Sequence, residues 1–146
     1  MYSDSRLYYI YKNLLPNIEK TENILIISNS FSLDYIKKLN SNFFFKSNFR
    51  DTLDYANKIG IKTDFKDYLK FKFIIISQSL SKNETLSNIF FSIKKLSPKG
   101  IIVIEGHNKT GIKNTLNYFK KINSIETIIS KNHGKIFLLN CKNLSK

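Results

Sequence analysis

Two histidines and four lysines are the side chains of this 146-residue sequence whose type and place could do chemistry. His107 follows Gly106 at the end of an apolar run, where a loop can carry function and an imidazole could act as a general base. No serine, cysteine or acid stands in a recognisable relation to it, so a surface polar residue is the plainer reading. His133 precedes Gly134 in a tight turn, and reads as a turn residue that can also touch a phosphate. Lys109, Lys113, Lys131 and Lys135 fall in loops and on the polar face of one helix, where ammonium groups can neutralise phosphates and release condensed counterions. A plain solvated lysine face is the competing reading for all four.

The charge distribution bears on that choice. The formal charge is +13, and nearly all of the positive charge is lysine, with Arg6 and Arg50 the only arginines. Asparagine and isoleucine abound, the composition an AT-rich coding sequence gives, so part of the lysine excess is compositional. The placement is uneven: residues 106–146 carry eight lysines against Glu126 alone, a net +7, and the first 105 residues hold the other +6. That asymmetry implies a basic face built by the C-terminal part of the fold. Cys141 is the only cysteine, which excludes a disulfide framework and leaves no cluster with metal-ligand spacing. No apolar run approaches the roughly 20 residues that span a bilayer. The N-terminus opens with Tyr2, Asp4 and Tyr8 rather than a basic stretch followed by an apolar one. A cytoplasmic protein without a membrane partner is expected.

The elements that must position these residues alternate. Leu7, Ile10 and Leu14 recur at helical spacing before Pro16, which predicts a first helix ending near Leu15, within an N-terminal helical addition over residues 1–20. Residues 24–27 form an unbroken apolar run of the kind expected for a strand covered on both faces. Ser32 can cap a helix carrying Leu33, Ile36 and Leu39. Further along, residues 43–45 read as a strand, 51–59 as a helix ended by Gly60, 61–65 as a short strand and 71–77 as the clearest strand. Phe43, Phe44 and Phe45 could stack bases, but a consecutive run belongs more naturally to a core. Ser81 with Glu84 three residues on forms a capping box ahead of a helix stopped by Pro98 and Gly100. Residues 101–105 are another buried strand, 110–121 a helix, and 125–130 and 135–140 two strands around a turn at His133 and Gly134. Strands alternating with helices predict a mainly parallel sheet wrapped by helices, here seven-stranded, and the last two strands must be antiparallel. This is a single Rossmann-like α/β domain spanning residues 1–146, with the outline of the class I methyltransferase fold.

A nucleotide cofactor site in such a sheet needs glycines after the first strand and an acid at the end of the second. The sequence supplies Ser28-Asn29-Ser30-Phe31-Ser32 and Lys46-Ser47-Asn48, which meets neither need. Asp64 and Asp67 could be a residual acid pair on the adenine side, with a solvated loop as the alternative.

Two stretches carry a resemblance. Leu96-Ser97-Pro98-Lys99-Gly100 followed by Lys109-Thr110-Gly111-Ile112, and Ser130-Lys131-Asn132-His133-Gly134-Lys135-Ile136-Phe137, resemble the N-terminal domain of bacterial small-subunit ribosomal RNA guanine-N2 methyltransferases. Motif identity is confined to roughly residues 96–112 and 129–138. The resemblance implies a degenerate class I methyltransferase domain that supports RNA binding and stability. The C-terminal catalytic partner domain would bind S-adenosylmethionine and hold an Asn-Pro-Pro-type motif. The equivalent stretch here is Ser77-Gln78-Ser79-Leu80, where Gln78 can accept a hydrogen bond but no proline fixes the geometry. No catalytic residue, cofactor or metal is therefore expected in this chain. Its expected partners are ribosomal RNA or the small ribosomal subunit and the catalytic domain, with Lys109, Lys113, Lys131, His133 and Lys135 as the RNA contacts. A small methyltransferase active on its own and a stand-alone RNA-binding protein are the alternatives. The chain ends where the second domain would begin, as either a fragment or a gene encoding the first half alone.

Overall fold

The computed structural model describes residues 2–14, 22–28, 42–79, 81–122, 124–131 and 133–141. The apolar runs become strands β1 (Asn23–Ile27), β2 (Asn42–Lys46), β3 (Phe71–Ser77), β4 (Leu96–His107), β5 (Ile125–Lys131) and β6 (Gly134–Leu139). They form one six-stranded sheet in the order β2-β1-β3-β4-β6-β5. The first four strands are parallel to one another, and β6 runs antiparallel to both β4 and β5. Burial on both faces is what makes β1, β3 and β4 continuous apolar runs, and they occupy the middle of the sheet as expected.

Side-chain alternation divides the core into two layers. On one face Ile24, Ile26, Phe73, Ile75 and Val103 pack with Leu7, Ile10 and Tyr11 of helix α1 (Tyr2–Asn13) and Ala56 of helix α2 (Arg50–Lys58). On the other, Leu25, Ile27, Ile74, Ile76, Ile102 and Ile104 meet Ile89 of helix α3 (Lys82–Lys95) and Ile112, Leu116 and Phe119 of helix α4 (Ile112–Lys121). The chain thus has a mixed α/β, Rossmann-like fold closed by an antiparallel hairpin. The helix expected after Ser32 lies outside the described residues.

The seventh strand does not form. Of residues 61–65, Lys62 alone makes a parallel bridge, to Phe44. Packing outcompetes pairing here. Phe65 turns inward so that its ring meets those of Phe44 and Phe71 edge-on, at centroid distances of 6.0 and 5.3 Å. Asp64 and Asp67, flanking it, stay exposed, so they form no buried acid pair.

The start of α3 differs from a reciprocal capping box. The Glu84 amide donates to Ser81 Oγ (3.2 Å), a cap that contributes about 1 kcal/mol. The Glu84 carboxylate does not reach back to the Ser81 amide. Ser79 intervenes, its hydroxyl accepting from Ser81 N (3.0 Å) and donating to Glu84 Oε2 (3.0 Å). The consequence is that the first turn of α3 is tied to the end of β3, where ligands of such sheets bind.

Candidate functional site at the carboxyl ends of the strands

In an open parallel sheet, ligands bind outside the carboxyl ends of the strands at the point where the strand order reverses. Here that point lies between β1 and β3, because β2 is laid down on one side of β1 and β3 on the other. The described residues around it, including Ser28, Lys46, Asn48, Ser77, Glu84 and Asn88, leave a cavity of only about 10 Å³, room for a single water. Lys46, at the end of β2, fills the space. Its Nζ donates to Asn88 Oδ1 (3.1 Å) and lies 5.1 Å from the centroid of the Phe91 ring. Partial burial holds its pKa below the ordinary lysine value, against the opposing pull of the Glu84 carboxylate. A ribose needs an acceptor at this place, and the strand end offers a cation already engaged by α3. Among the described residues, the end of β2 supplies no acceptor for a ribose.

Gln78 is also committed. Its Oε1 accepts from Thr115 Oγ1 in α4 (2.9 Å) and its Nε2 donates to the Ser79 carbonyl (3.1 Å). The amide is a fixed wall rather than an acceptor waiting for a substrate. Burial, with Glu126 adding to it, pushes the Cys141 thiol up to about 11, which disfavours the reactive thiolate.

The lysines and histidines gather one strand further along. The registers His107↔Gly134 and Lys131↔Gly134 bring the end of β4 and the final turn together. The Asn108 amide donates to the His133 carbonyl (2.9 Å), and the two imidazoles stack with centroids 6.3 Å apart. His107 Nδ1 accepts from the Lys109 amide (3.0 Å), so its proton sits on Nε2. Its pKa lies below the ordinary value, first through partial burial and then through the charges of Arg6, Lys109 and His133. That hydrogen bond makes His107 a capping group for the turn Asn108–Thr110.

Three structural choices hold this end together. His133 adopts φ 59°, and Gly134 has no room for a side chain, because a Cβ would lie 2.2 Å from the Gly106 carbonyl oxygen. Beneath them Arg6 Nε of α1 bonds Glu105 Oε1 at 2.8 Å, both side chains at 2% exposure or less. In a pair so deeply buried, loss of either partner is costly.

The expected RNA contacts therefore share one end of the sheet but not one face. Alternation along β5 and β6 places Lys135 on the α4 side, where its Nζ donates to Ser130 Oγ (2.6 Å). Lys131 turns to the α1 side and lies 4.9 Å from the centroid of the Tyr9 ring. Lys109 and Lys113 are exposed at the start of α4. Sequence reasoning missed Lys82, exposed in the first turn of α3, and Asn114, beside Lys109. The signal for Lys82 was present, since a cation in a helix's first turn opposes the macrodipole.

No family model matches the sequence, and no curated protein aligns with it significantly. Solved structures match the fold. A 16S rRNA N2 methyltransferase from T. thermophilus, solved with AdoMet and guanosine, superposes with a TM-score of 0.65 at 8% identity. That match covers 89% of this chain but spans only 38% of the enzyme's length. An rRNA methylase from Streptococcus thermophilus gives 0.65 at 10% identity, covering 91% of this chain and 94% of its own. A ribosomal protein methylase from Lactobacillus delbrueckii subsp. bulgaricus gives 0.69 at 11%, covering 92% and 77%. The likeness is one of fold: this chain shares the mixed α/β, Rossmann-like architecture of these methyltransferases. No described helix is long and apolar enough to cross a membrane.

Proposed function

We propose that this chain is a non-catalytic, RNA-directed domain of the kind that stands at the N-terminus of small-subunit ribosomal RNA guanine-N2 methyltransferases. In that role it supports a cytoplasmic catalytic domain that binds S-adenosylmethionine, and it binds none itself. The observation that carries the reading is the fate of the cofactor cleft. Lys46, hydrogen-bonded to Asn88, occupies the place of the ribose-binding acid. The gathering of Lys109, Lys131, His133 and Lys135 around the end of β4 supports contact with ribosomal RNA. A match to 38% of the T. thermophilus enzyme is what one domain of a longer protein gives.

Calorimetric titration with S-adenosylmethionine tests the first half, and binding in the micromolar range would sink it in favour of a small independent methyltransferase. For the second half, the quadruple variant K109Q/K113Q/K131Q/K135Q should bind different structured RNAs about equally less well. The dependence of log affinity on log salt should flatten by up to ~3–4 units if each lysine neutralises one phosphate. An unchanged slope in a folded variant rejects RNA contact through this end.

A further inference from the structure

Beyond the switch point, the carboxyl ends of β3 and β4 border a cavity of about 280 Å³ lined by Gln78, Lys82, Lys109, Thr110, Gly111 and Asn114. Its lining contains two cations, several hydrogen-bonding groups and no acid. The volume lies just under the roughly 300–1,000 Å³ of small-molecule sites, which suits one compact group rather than an extended cofactor.

The cavity has a built floor. Gly106 must be glycine, since a Cβ there would meet Gln78 Cβ at 2.6 Å, and Gln78 is itself pinned by Thr115. Gly111 caps α4 with φ 88°, and the space its Cβ would take holds nothing nearer than Gln78 Nε2 at 3.8 Å. Floor and walls are therefore set by backbone and by a locked amide, not by mobile side chains.

The electrostatics of the rim are one-sided. Lys82 stands in the first turn of α3, and Lys109 in the single turn that leads into α4. Both helices direct their positive ends here, where a cation is disfavoured unless an anion joins it. Glu84, the one acid in the first turn of α3, is drawn away to Ser79 and toward Lys46. Among the described residues neither Lys82 nor Lys109 has an ion pair or a side-chain hydrogen bond, whereas Lys46, Lys131 and Lys135 each have an intramolecular partner.

We infer that this cavity holds a phosphate group of a nucleotide, with Lys82 and Lys109 as its two cationic contacts. A group with several anionic oxygens can take both ammonium groups together with the Ile112 and Lys113 amides at the start of α4, the Asn114 amide being already bonded to the Gly111 carbonyl. The phosphate can belong to a free mononucleotide or to a polynucleotide. Only the choice of RNA as its source rests on the function proposed above.

The test compares amide NMR shifts of the whole chain titrated with inorganic phosphate, with GMP and with a short single-stranded RNA. The expected result is that residues 82, 109–111 and 114 shift with GMP and with RNA. Between single-stranded RNA and protein, each displaced counterion contributes about 0.7 to the salt slope. Variant K82Q/K109Q should therefore flatten the slope by about 1.4 and lose roughly 25-fold in affinity at 0.1 M salt, while K131Q changes it by no more than about 5-fold. Shifts confined to residues 131–135, with K82Q/K109Q binding RNA as the wild type does, would overturn the cavity assignment and leave the RNA reading standing. Shifts at the cavity with GMP but no RNA binding would keep the assignment and remove the RNA reading. Silence of the wild-type chain toward all three probes would end both. K82Q and K109Q remove exposed side chains that bond nothing in the described fold, and K131Q gives up only a contact with the Tyr9 ring, so circular dichroism of each variant should match the wild type.

Discussion

Two depressions lie side by side at the carboxyl ends of the parallel strands, and they differ in what has become of their lysines. In the cleft between β1 and β3, Lys46 has turned inward onto Asn88 and Phe91, leaving about 10 Å³. In the cavity between β3 and β4, Lys82 and Lys109 stand at the rim of about 280 Å³ with no acid in its lining. Helix α3 serves both, giving Asn88 and Glu84 to the first and Lys82 to the second. The difference teaches that the same sheet end can be closed by a cation and opened by one. The outcome depends on whether an acceptor from a neighbouring helix is within reach.

The largest expected effect comes from the support of the open side. Glu105→Gln removes the buried carboxylate that Arg6 Nε bonds at 2.8 Å and should cost about 3–5 kcal/mol in urea unfolding. A loss below about 1 kcal/mol would show that the pair is dispensable and that β4 and the hairpin are held by packing alone. Next, Ser81→Ala removes the cap of the helix common to both depressions, and should cost about 1 kcal/mol by the same measurement. Smaller still is Lys46→Met, which gives up one hydrogen bond but also relieves a partly buried ammonium. Its stability should stay within about 1 kcal/mol of wild type. A gain of S-adenosylmethionine binding in that variant would break the comparison, by showing that Lys46 alone closes the cleft.

The smallest effect is in pH dependence. The His107 pKa is depressed in the folded chain, so between that value and the ordinary 6.5 the unfolded chain binds more protons. Its contribution is complete above pH 6.5 and is lost as pH falls through the folded value. His107→Asn should therefore flatten the rise of stability with pH over that window, seen as converging melting temperatures at low pH. Phosphate in the neighbouring cavity should raise the His107 pKa, and imidazole NMR titration with and without phosphate checks the direction.

Much of the fold was legible because burial writes itself into composition. Residues 24–27, 71–77 and 101–105 read as buried strands and are strands, and the spacing of Leu7 and Ile10 placed a helix that does pack on the sheet. The turn at His133 and Gly134 was legible for a different reason, since a glycine in a tight turn reports on local backbone geometry. Residues 61–65 misled, because β-prone residues at a sheet edge can pair or pack, and only the position of the Phe44 and Phe71 rings decided that Phe65 would pack. The site divides the same way. The absence of glycine after β1 and the lysine at 46 could be read directly, as chemistry missing from known places. That Lys131 and Lys135 face opposite sides of the sheet depends on register, and the juxtaposition of Lys82 with Lys109 depends on two helices starting at adjacent strand ends. The sequence by itself determined which segments are buried and where charge accumulates, because solvation acts residue by residue. Which charges find a partner was left to the tertiary structure, because a hydrogen bond or ion pair joins groups far apart in the chain, 42 residues for Lys46 and Asn88 and 99 for Arg6 and Glu105.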